Sequence, residues 1–547
     1  MSSETEPTPG STPPPSDAPP SAPAKRGRSS ILRSASVMTV LTLISRILGL
    51  VREQVRALYL GTGAGSDAFG LASTLPNMFR RLFAEGAMTA AFVPELADHV
   101  ARSTPEETRR FLSRFATLLT LAVTVFTLIA IVLTPWILEL FFASSFSESP
   151  GKLPLTIELT ELMWPYLILV TLAALVQGIL NVHHIFGPSA FSPVLMNLAI
   201  IVCSIAFAAT FADPVYALVL GFLVGGLAQL AFQIPWMFRQ TSIRFGIDFH
   251  FRDPAVIRIL RTMIPGIFAA GIYQFNLVAA QIVAGGLAEG SIASLQFSLR
   301  IQEVVLGLFA VSVAQVILPR LSEHMSRGDR DGMRDTMGYA NRLIAFVTVP
   351  CTVGIIILAP EIVRVIFQYG RFDAQSTEAT AFALRFHALG LFFIGQARVL
   401  TQGFFALRDL KTATKIAAID MVINVVLCVV LSLWIDNGGI ALASSLAAVA
   451  NSVLLHRALS RRLGGLGFGE FARYLGKLAA ATAVMAGVVA LWMWALPPAG
   501  LLGWGLAAWL AGAIAVACVA YFWTAHRLHV NEFAGLTAGV RRRFRRK

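Results

Sequence analysis

The stretch Ser45-Arg46-Ile47-Leu48-Gly49-Leu50-Val51-Arg52-Glu53 puts three charges in the middle of an apolar segment running roughly from Ser36 to Leu58. At the centre of a bilayer each such charge costs about 2.5–3.5 kcal/mol on insertion scales, so it faces a cavity or a partner rather than lipid. On an ideal helix, at about 100° per residue, Thr39, Thr42, Arg46, Gly49, Glu53 and Arg56 share one polar stripe about 100° wide, with Arg52 at its edge. The opposite face is Val, Leu and Ile. A helix of this kind lines a wet, positively charged cavity.

Two more apolar segments carry charge on one side. After Asp67, which can cap its helix, come Thr74, Arg80, Arg81 and Glu85; Thr74, Arg81 and Glu85 share a face, with Arg81 and Glu85 at i,i+4 spacing. Further on, Gln296, Arg300, Glu303 and Gly307 stand at i, i+4, i+7 and i+11 and cover about 60° of a helix. An ion pair that pins a helix, or Gln and Gly acting as packing glue, would explain these residues structurally. Packing seldom needs a buried Arg, so a functional role is favoured. Arg398 is a further candidate, or it snorkels to the interface. Arg46, Arg52, Arg56, Arg80, Arg81, Arg300 and Arg398 outnumber Glu53, Glu85 and Glu303. The planar guanidinium fork suits phosphate oxygens, so the chemistry indicated is capture of an anion. Asp420 and Asn424 lie one turn apart and could hold Na⁺, or Asp420 could carry a proton. A helix–helix hydrogen bond by Asn424 and a cytosol-facing Asp420 account for the pair equally well.

Other chemistry is missing from the sequence. No G-x-x-x-x-G-K-[ST] is present, so no P-loop binds ATP, and no His pair has zinc-protease spacing. Asp329-Arg330-Asp331 is a D-x-D of the kind used by some sugar-nucleotide enzymes, but beside Arg327 and Gly328 it reads as a solvated turn. Cys203, Cys351, Cys428 and Cys518 sit in apolar runs without metal spacing and read as inert buried thiols.

The elements that position these charges are membrane helices. The 547-residue chain is 56% hydrophobic, and only 14% of it is charged where a soluble chain has about 25%. Hydropathy predicts an all-α polytopic membrane protein of fourteen spans, roughly 36–58, 67–98, 112–144, 157–184, 189–211, 214–238, 256–285, 291–320, 338–359, 377–406, 412–435, 438–460, 472–496 and 500–525. Residues 1–33 read as a disordered Pro/Ser-rich arm with a basic end, and the first span is retained rather than cleaved. Residues 527–547 read as a basic tail able to touch anionic lipid. The net charge of +13 is concentrated in alternate loops. Arg102 to Arg114, Arg239 to Arg261, Arg320 to Arg334, Arg408 to Lys415 and Arg457 to Arg462 form the basic set. The other set is poor in positive charge, broken only by Lys152, Arg364 and Arg371. The excess therefore reads as topology rather than nucleic-acid binding, with both termini cytoplasmic.

The chain also repeats itself. Phe92-Val-Pro-Glu-Leu-Ala-Asp-His99 resembles Ile317-Leu-Pro-Arg-Leu-Ser-Glu-His324, Gln177-Gly-Ile-Leu180 resembles Gln402-Gly-Phe-Phe405, and both pairs are 225 residues apart. Six spans in residues 34–240 thus repeat in 250–465 with the same orientation, which predicts two bundles around a central cleft. Residues 470–526 add two helices, whose Gly500, Gly503, Gly505 and Gly512 could leave room for a lipid tail.

Residues Ser45–Glu53, Ser66-Asp-Ala-Phe69, Leu75-Pro-Asn-Met-Phe-Arg-Arg-Leu-Phe-Ala-Glu-Gly-Ala87 and Phe92-Val-Pro94 strongly resemble the MurJ (MviN) family. The resemblance extends through Gln296–Glu303, Phe367-Gln-Tyr-Gly370 and Gly403–Thr412, about residues 34 to 525 in all. It implies the MATE-like fold of the multidrug/oligosaccharidyl-lipid/polysaccharide exporter superfamily. It also implies a flippase, not an enzyme, for lipid II, the undecaprenyl-pyrophosphate-linked disaccharide-pentapeptide of peptidoglycan synthesis, in the bacterial inner membrane. By matching positions, the family's cavity arginines fall on Arg46, Arg52, Arg80, Arg81 and Arg300, and its acidic partners on Glu53, Asp67 and Glu303. The expected partners are lipid II, membrane lipids and the peptidoglycan-synthesis machinery. No cofactor is expected beyond Na⁺, H⁺ or the membrane potential. The rival readings are an ion-coupled multidrug exporter, an exporter of another polyprenyl-linked oligosaccharide, a glycosyltransferase using Asp329 and Asp331, and a scaffold. A multidrug exporter would favour an acidic cleft, and a scaffold has no use for a charged one.

Overall fold

A computed structural model describes residues 25–530 except 147, 148, 150, 242 and 243. The greater part of the Pro/Ser-rich arm, the end of the basic tail, and the side chains of Thr39 and Glu85 lie outside the described residues. Every regular element among the described residues is helical. Helix α1 is Lys25–Leu60. Helix α2 (Ala64–Arg80) runs without a break into a π-helical stretch (Arg81–Phe92) and then α3 (Val93–Arg102). Helix α4 is Pro105–Phe142; α5 (Lys152–Met163) and α6 (Pro165–Val182) meet at Trp164; α7 is Gly187–Phe207 and α8 Val215–Gln240. Helix α9 is Pro254–Gly285; α10 (Ser291–Leu308) and α11 (Ala310–Ser326) meet at Phe309; α12 is Arg330–Phe367. Helices α13 (Ala374–Leu389) and α14 (Leu391–Ala406) bend by 45° at Gly390. Then follow α15 (Leu410–Leu463), α16 (Phe468–Ala495) and α17 (Gly503–Arg527).

Local chemistry sets the starts and breaks. Thr104 and Glu107 form a reciprocal capping box ahead of α4, with Pro105 in the first helical position. Asp253, Asp329, Asp373 and Asp409 accept backbone N–H groups at the starts of α9, α12, α13 and α15. The D-x-D is thus a helix cap: Asp329 accepts from the Gly332 N–H at 2.8 Å, which with His324 holds its carboxyl below the usual range. Pro165 lacks the N–H that would continue α5. Helix α15, at 54 residues, would be about 80 Å long if straight, far more than a bilayer core. Non-helical Ile435 and left-handed Asp436 divide it, and Gly439 lies so close to the Leu431 carbonyl that a Cβ would collide with it. The chain therefore folds back on itself at Asp436, and α15 counts as two passes.

Among the described residues nine helices are long and apolar enough to cross a membrane, or ten with the bent α13–α14 pair. Dividing α15 and adding α1, the α2–α3 run and α9 gives fourteen helical runs. Their order repeats: a broken run, a long helix, a broken run and two single passes follow α1 and again follow α9. Helix α4 begins at Pro105 and α12 at Arg330, the same 225-residue step as in the sequence. The early helices pack through Phe69, Tyr166, Met196 and Phe222, and the later ones through Phe297, Met337, Phe367 and Phe404. Helix α9 bridges the two groups. Its start packs on Phe92 and Phe111, and near its other end Asn276 bonds α15. Helices α16 and α17 lie on α12, where the Tyr521 hydroxyl donates to the Phe346 carbonyl at 2.7 Å.

Candidate functional site

Helix α1 lies along α7 and turns its polar stripe into a cavity of about 750 Å³ between the two groups of helices. Seven of the eight sequence-derived binding candidates line it: Arg46, Arg52, Glu53, Arg80, Arg81, Arg300 and Glu303. Their surroundings differ. The Arg52 guanidinium donates to Glu53 Oε1 from Nη2 at 2.5 Å and from Nε at 3.2 Å, and its Nη1 reaches Asn197 Oδ1 at 3.2 Å. Arg300 donates to Glu303 at 3.0 Å, and both side chains are partly open to the cavity. Arg46 and Arg81 make no hydrogen bond or ion pair among the described residues and keep their donors for a guest. Arg56 is 5% exposed and held by Glu53, Gln296, the Ser66 hydroxyl and the Ser66 carbonyl, over the rings of Phe69 and Phe297. It lines the floor of the cavity but has little left to offer a ligand.

Two glycines make room for the arginines opposite them. A Cβ on Gly49 of α1 would stand 2.7 Å from the Arg300 guanidinium of α10. A Cβ on Gly307 of α10 would collide with the Arg46 guanidinium of α1. Each helix thus sets its arginine into a notch of the other.

Asp67 is the candidate that does not line the cavity. It is fully buried, 2.7 Å from Lys152 Nζ, and accepts the Gly290 and Ala293 N–H groups at 2.9 and 2.8 Å. Its carboxylate caps α10 from the other half of the protein. Around it Ala64 N–H donates to Glu289, the Thr62 and Ser376 hydroxyls are 2.8 Å apart, and Arg371 N–H reaches the Leu58 carbonyl. These contacts close one end of the cleft.

The stretch that carries Arg81 and Glu85 is π-helical, and the Glu85 side chain lies outside the described residues. Asp420 and Asn424 line a second cavity of about 740 Å³ among the later helices. Asn424 donates its amide to Asn276 at 2.8 Å and accepts weakly from Cys428, while Asp420 Oδ1 is buried without a partner. Among the described residues no group of three or more His, Cys, Asp or Glu could hold a metal.

A family model described as lipid II flippase MurJ matches residues 56–511. The probable lipid II flippase MurJ of Vibrio cholerae serotype O1 is 34% identical over 504 residues, 88% of this chain and 95% of that protein. The chain belongs to the MurJ family. The lipid II flippase MurJ of Burkholderia cenocepacia is 30% identical over 84% of this chain and 89% of its own length. A solved lipid II flippase MurJ in an inward closed conformation superposes with a TM-score of 0.75 at 25% identity, covering 90% of this chain and 99% of that one. An inward-facing MATE multidrug transporter shares the fold, with a TM-score of 0.64 at 15% identity over 78% of this chain and 98% of its own.

The MurJ family match begins at Arg56, so Arg46, Arg52 and Glu53 lie just before it and rest on the geometry above. Several cleft residues escaped sequence reading. Asn197 sits alone in the apolar run of α7, and Gln274 and Gln281 interrupt α9; a single amide in an apolar helix was the available signal. Lys152, which looks like an exception among the positive-poor loops, is buried against Asp67. The glycines expected to open a lipid groove lie at the join of α16 and α17 and along α17. Gly500 and Gly503 take positive φ in the turn before α17, and a Cβ on Gly512 would meet the Trp492 ring at 2.9 Å.

Proposed function

We propose that this MurJ-family chain is a lipid II flippase, carrying the undecaprenyl-pyrophosphate-linked peptidoglycan precursor from the inner to the outer leaflet by alternating access. The observation that supports it most is the convergence of Arg46, Arg52, Arg80, Arg81 and Arg300 on one cavity between the repeated halves. A pyrophosphate offers several anionic oxygens, and guanidinium forks bind such oxygens in pairs. Arg46 and Arg81, which make no hydrogen bond or ion pair among the described residues, receive it first. Arg52 and Arg300 then exchange Glu53 and Glu303 for phosphate oxygens, and the carboxylates take the arginines back when the cargo leaves. Glu53 and Glu303 hold Arg52 and Arg300 in place between turnovers.

Both termini face the cytoplasm in this reading, supported by the basic loops and by the burial of Lys152, which removes it from the charge count. The contacts around Asp67 then close the outward end, and the described state is ready to take cargo from inside. The polyprenyl tail stays in lipid, and anionic lipids and the peptidoglycan-synthesis machinery are the partners.

Reconstituted vesicles test this reading. Lipid II placed in the inner leaflet should become accessible outside at a rate that depends on the protein, whereas a cationic dye should not move. Dye export without lipid II movement would favour the multidrug reading.

A further inference from the structure

We propose that the second cavity is the subsite for the peptide of the cargo, with Arg398 binding its terminal carboxylate and Asp420 an amino group on one of its side chains. This rests on the lipid II reading. Drug-sized ligands occupy about 300–1,000 Å³. A pyrophosphate, a disaccharide and a pentapeptide together exceed a drug-sized ligand, so the arginine cavity of about 750 Å³ holds only part of the headgroup. The second cavity adds about 740 Å³, and the two share the walls Leu277, Gln281, Gln296, Leu299 and Glu303. A headgroup whose pyrophosphate lies on Arg46 and Arg81 therefore reaches the second chamber across a common rim.

The chamber's charges are suited to a zwitterion rather than to a second phosphate. Arg398 lines it and makes no hydrogen bond or ion pair among the described residues. Asp420 lines it too, with one carboxylate oxygen buried and unpartnered. A cation and an anion in one cavity, neither satisfied by the protein, fit a guest that carries both signs. Apart from Glu303 on the shared wall, which is paired with Arg300, the remaining polar lining, including Gln402 and Asn451, adds no carboxylate or guanidinium and can exchange hydrogen bonds with peptide amides.

The test is binding by the full-length protein in nanodiscs, measured for lipid II, for lipid II with its peptide removed, for lipid II amidated at the peptide terminus, and for lipid II acetylated on the peptide amine. Wild type should bind lipid II at least about 10-fold more tightly than the peptide-free lipid, the effect of one charge-assisted contact or more. Arg398→Gln should erase the preference for acid over amide, and Asp420→Asn the preference for free over acetylated amine. Both variants should bind the peptide-free lipid as wild type does. Equal wild-type affinity for lipid II and the peptide-free lipid overturns this inference and leaves the flippase reading standing. Failure of wild type to bind either lipid overturns the flippase reading itself. If Asp420→Asn abolishes a dependence on Na⁺ or pH and leaves peptide discrimination intact, Asp420 is an ion site and its assignment here is wrong.

Discussion

Arg46 and Arg56 stand on the same stripe of α1 and look alike in the sequence, yet their surroundings are opposite. Arg56 is tied to Ser66 and, across the cleft, to Gln296, residues 10 and 240 positions away. Nothing in the local sequence announces those partners. Removing Arg56 strands the buried groups it satisfies, so Arg56→Ala should cost about 3–5 kcal/mol and lower the melting temperature and membrane abundance. Arg46→Ala removes no hydrogen bond or ion pair among the described residues, only the packing of its guanidinium against Gly307. It should melt as wild type does and lose flipping. Thermal unfolding of the two variants side by side checks this; equal destabilisation would place Arg46 among the structural residues.

At the scale of elements, the pairing of α1 with α10 rests on the two glycine notches. The sequence placed Arg300 and Gly307 on one face of a helix and Arg46 and Gly49 on another, but it did not show that each arginine meets the other helix's glycine. In Gly307→Ala the colliding atom is the tip of a flexible side chain, so Arg46 swings aside and the fold survives. Flipping should drop about 10-fold or more, the worth of one charge-assisted contact, at normal abundance. Wild-type activity would show that the notch positions nothing. The Asp67–Lys152 pair behaves differently. Asp67→Asn leaves a buried ammonium unpaired and should destabilise strongly, whereas Asp67→Asn combined with Lys152→Met should recover much of the loss. Melting of the single and double variants decides it, and a double variant no better than the single would put the role of Asp67 in its bonds to α10 alone. That pair spans 85 positions, and the π-helical turn after Arg80 has no periodic signature, so neither was legible in advance.

At the scale of the whole molecule much was legible, because membrane helices are written in runs of apolar residues that need no partner to be recognised. The chain reversal at Asp436 falls where the hydropathy drops, and the 225-residue repeat returns as a repeat of helix order. The second cavity was not legible, since it is assembled from α9 to α15 and its charges are scattered along the chain. Orientation is open to direct measurement. Cysteines placed at Gly63 and Gly286 should label from outside intact cells, and those at Ser103 and Gly328 only after permeabilisation; the reverse pattern would invert the direction of transport.

The central claim is that guanidinium forks in the cleft hold the cargo's pyrophosphate. Arg52 tests it most directly, because its Nε and Nη2 already converge on one carboxylate oxygen of Glu53, a place a phosphate oxygen would take over. The decisive measurement is outer-leaflet accessibility of lipid II in cells depleted of the native protein and supplied with Arg52→Ala or Arg52→Lys, with membrane abundance followed alongside. Arg52→Ala should abolish flipping at normal abundance. Arg52→Lys keeps the charge without the fork and should fall about 10- to 100-fold, the loss of one charge-assisted hydrogen bond. Normal flipping by Arg52→Ala at normal abundance would contradict the account.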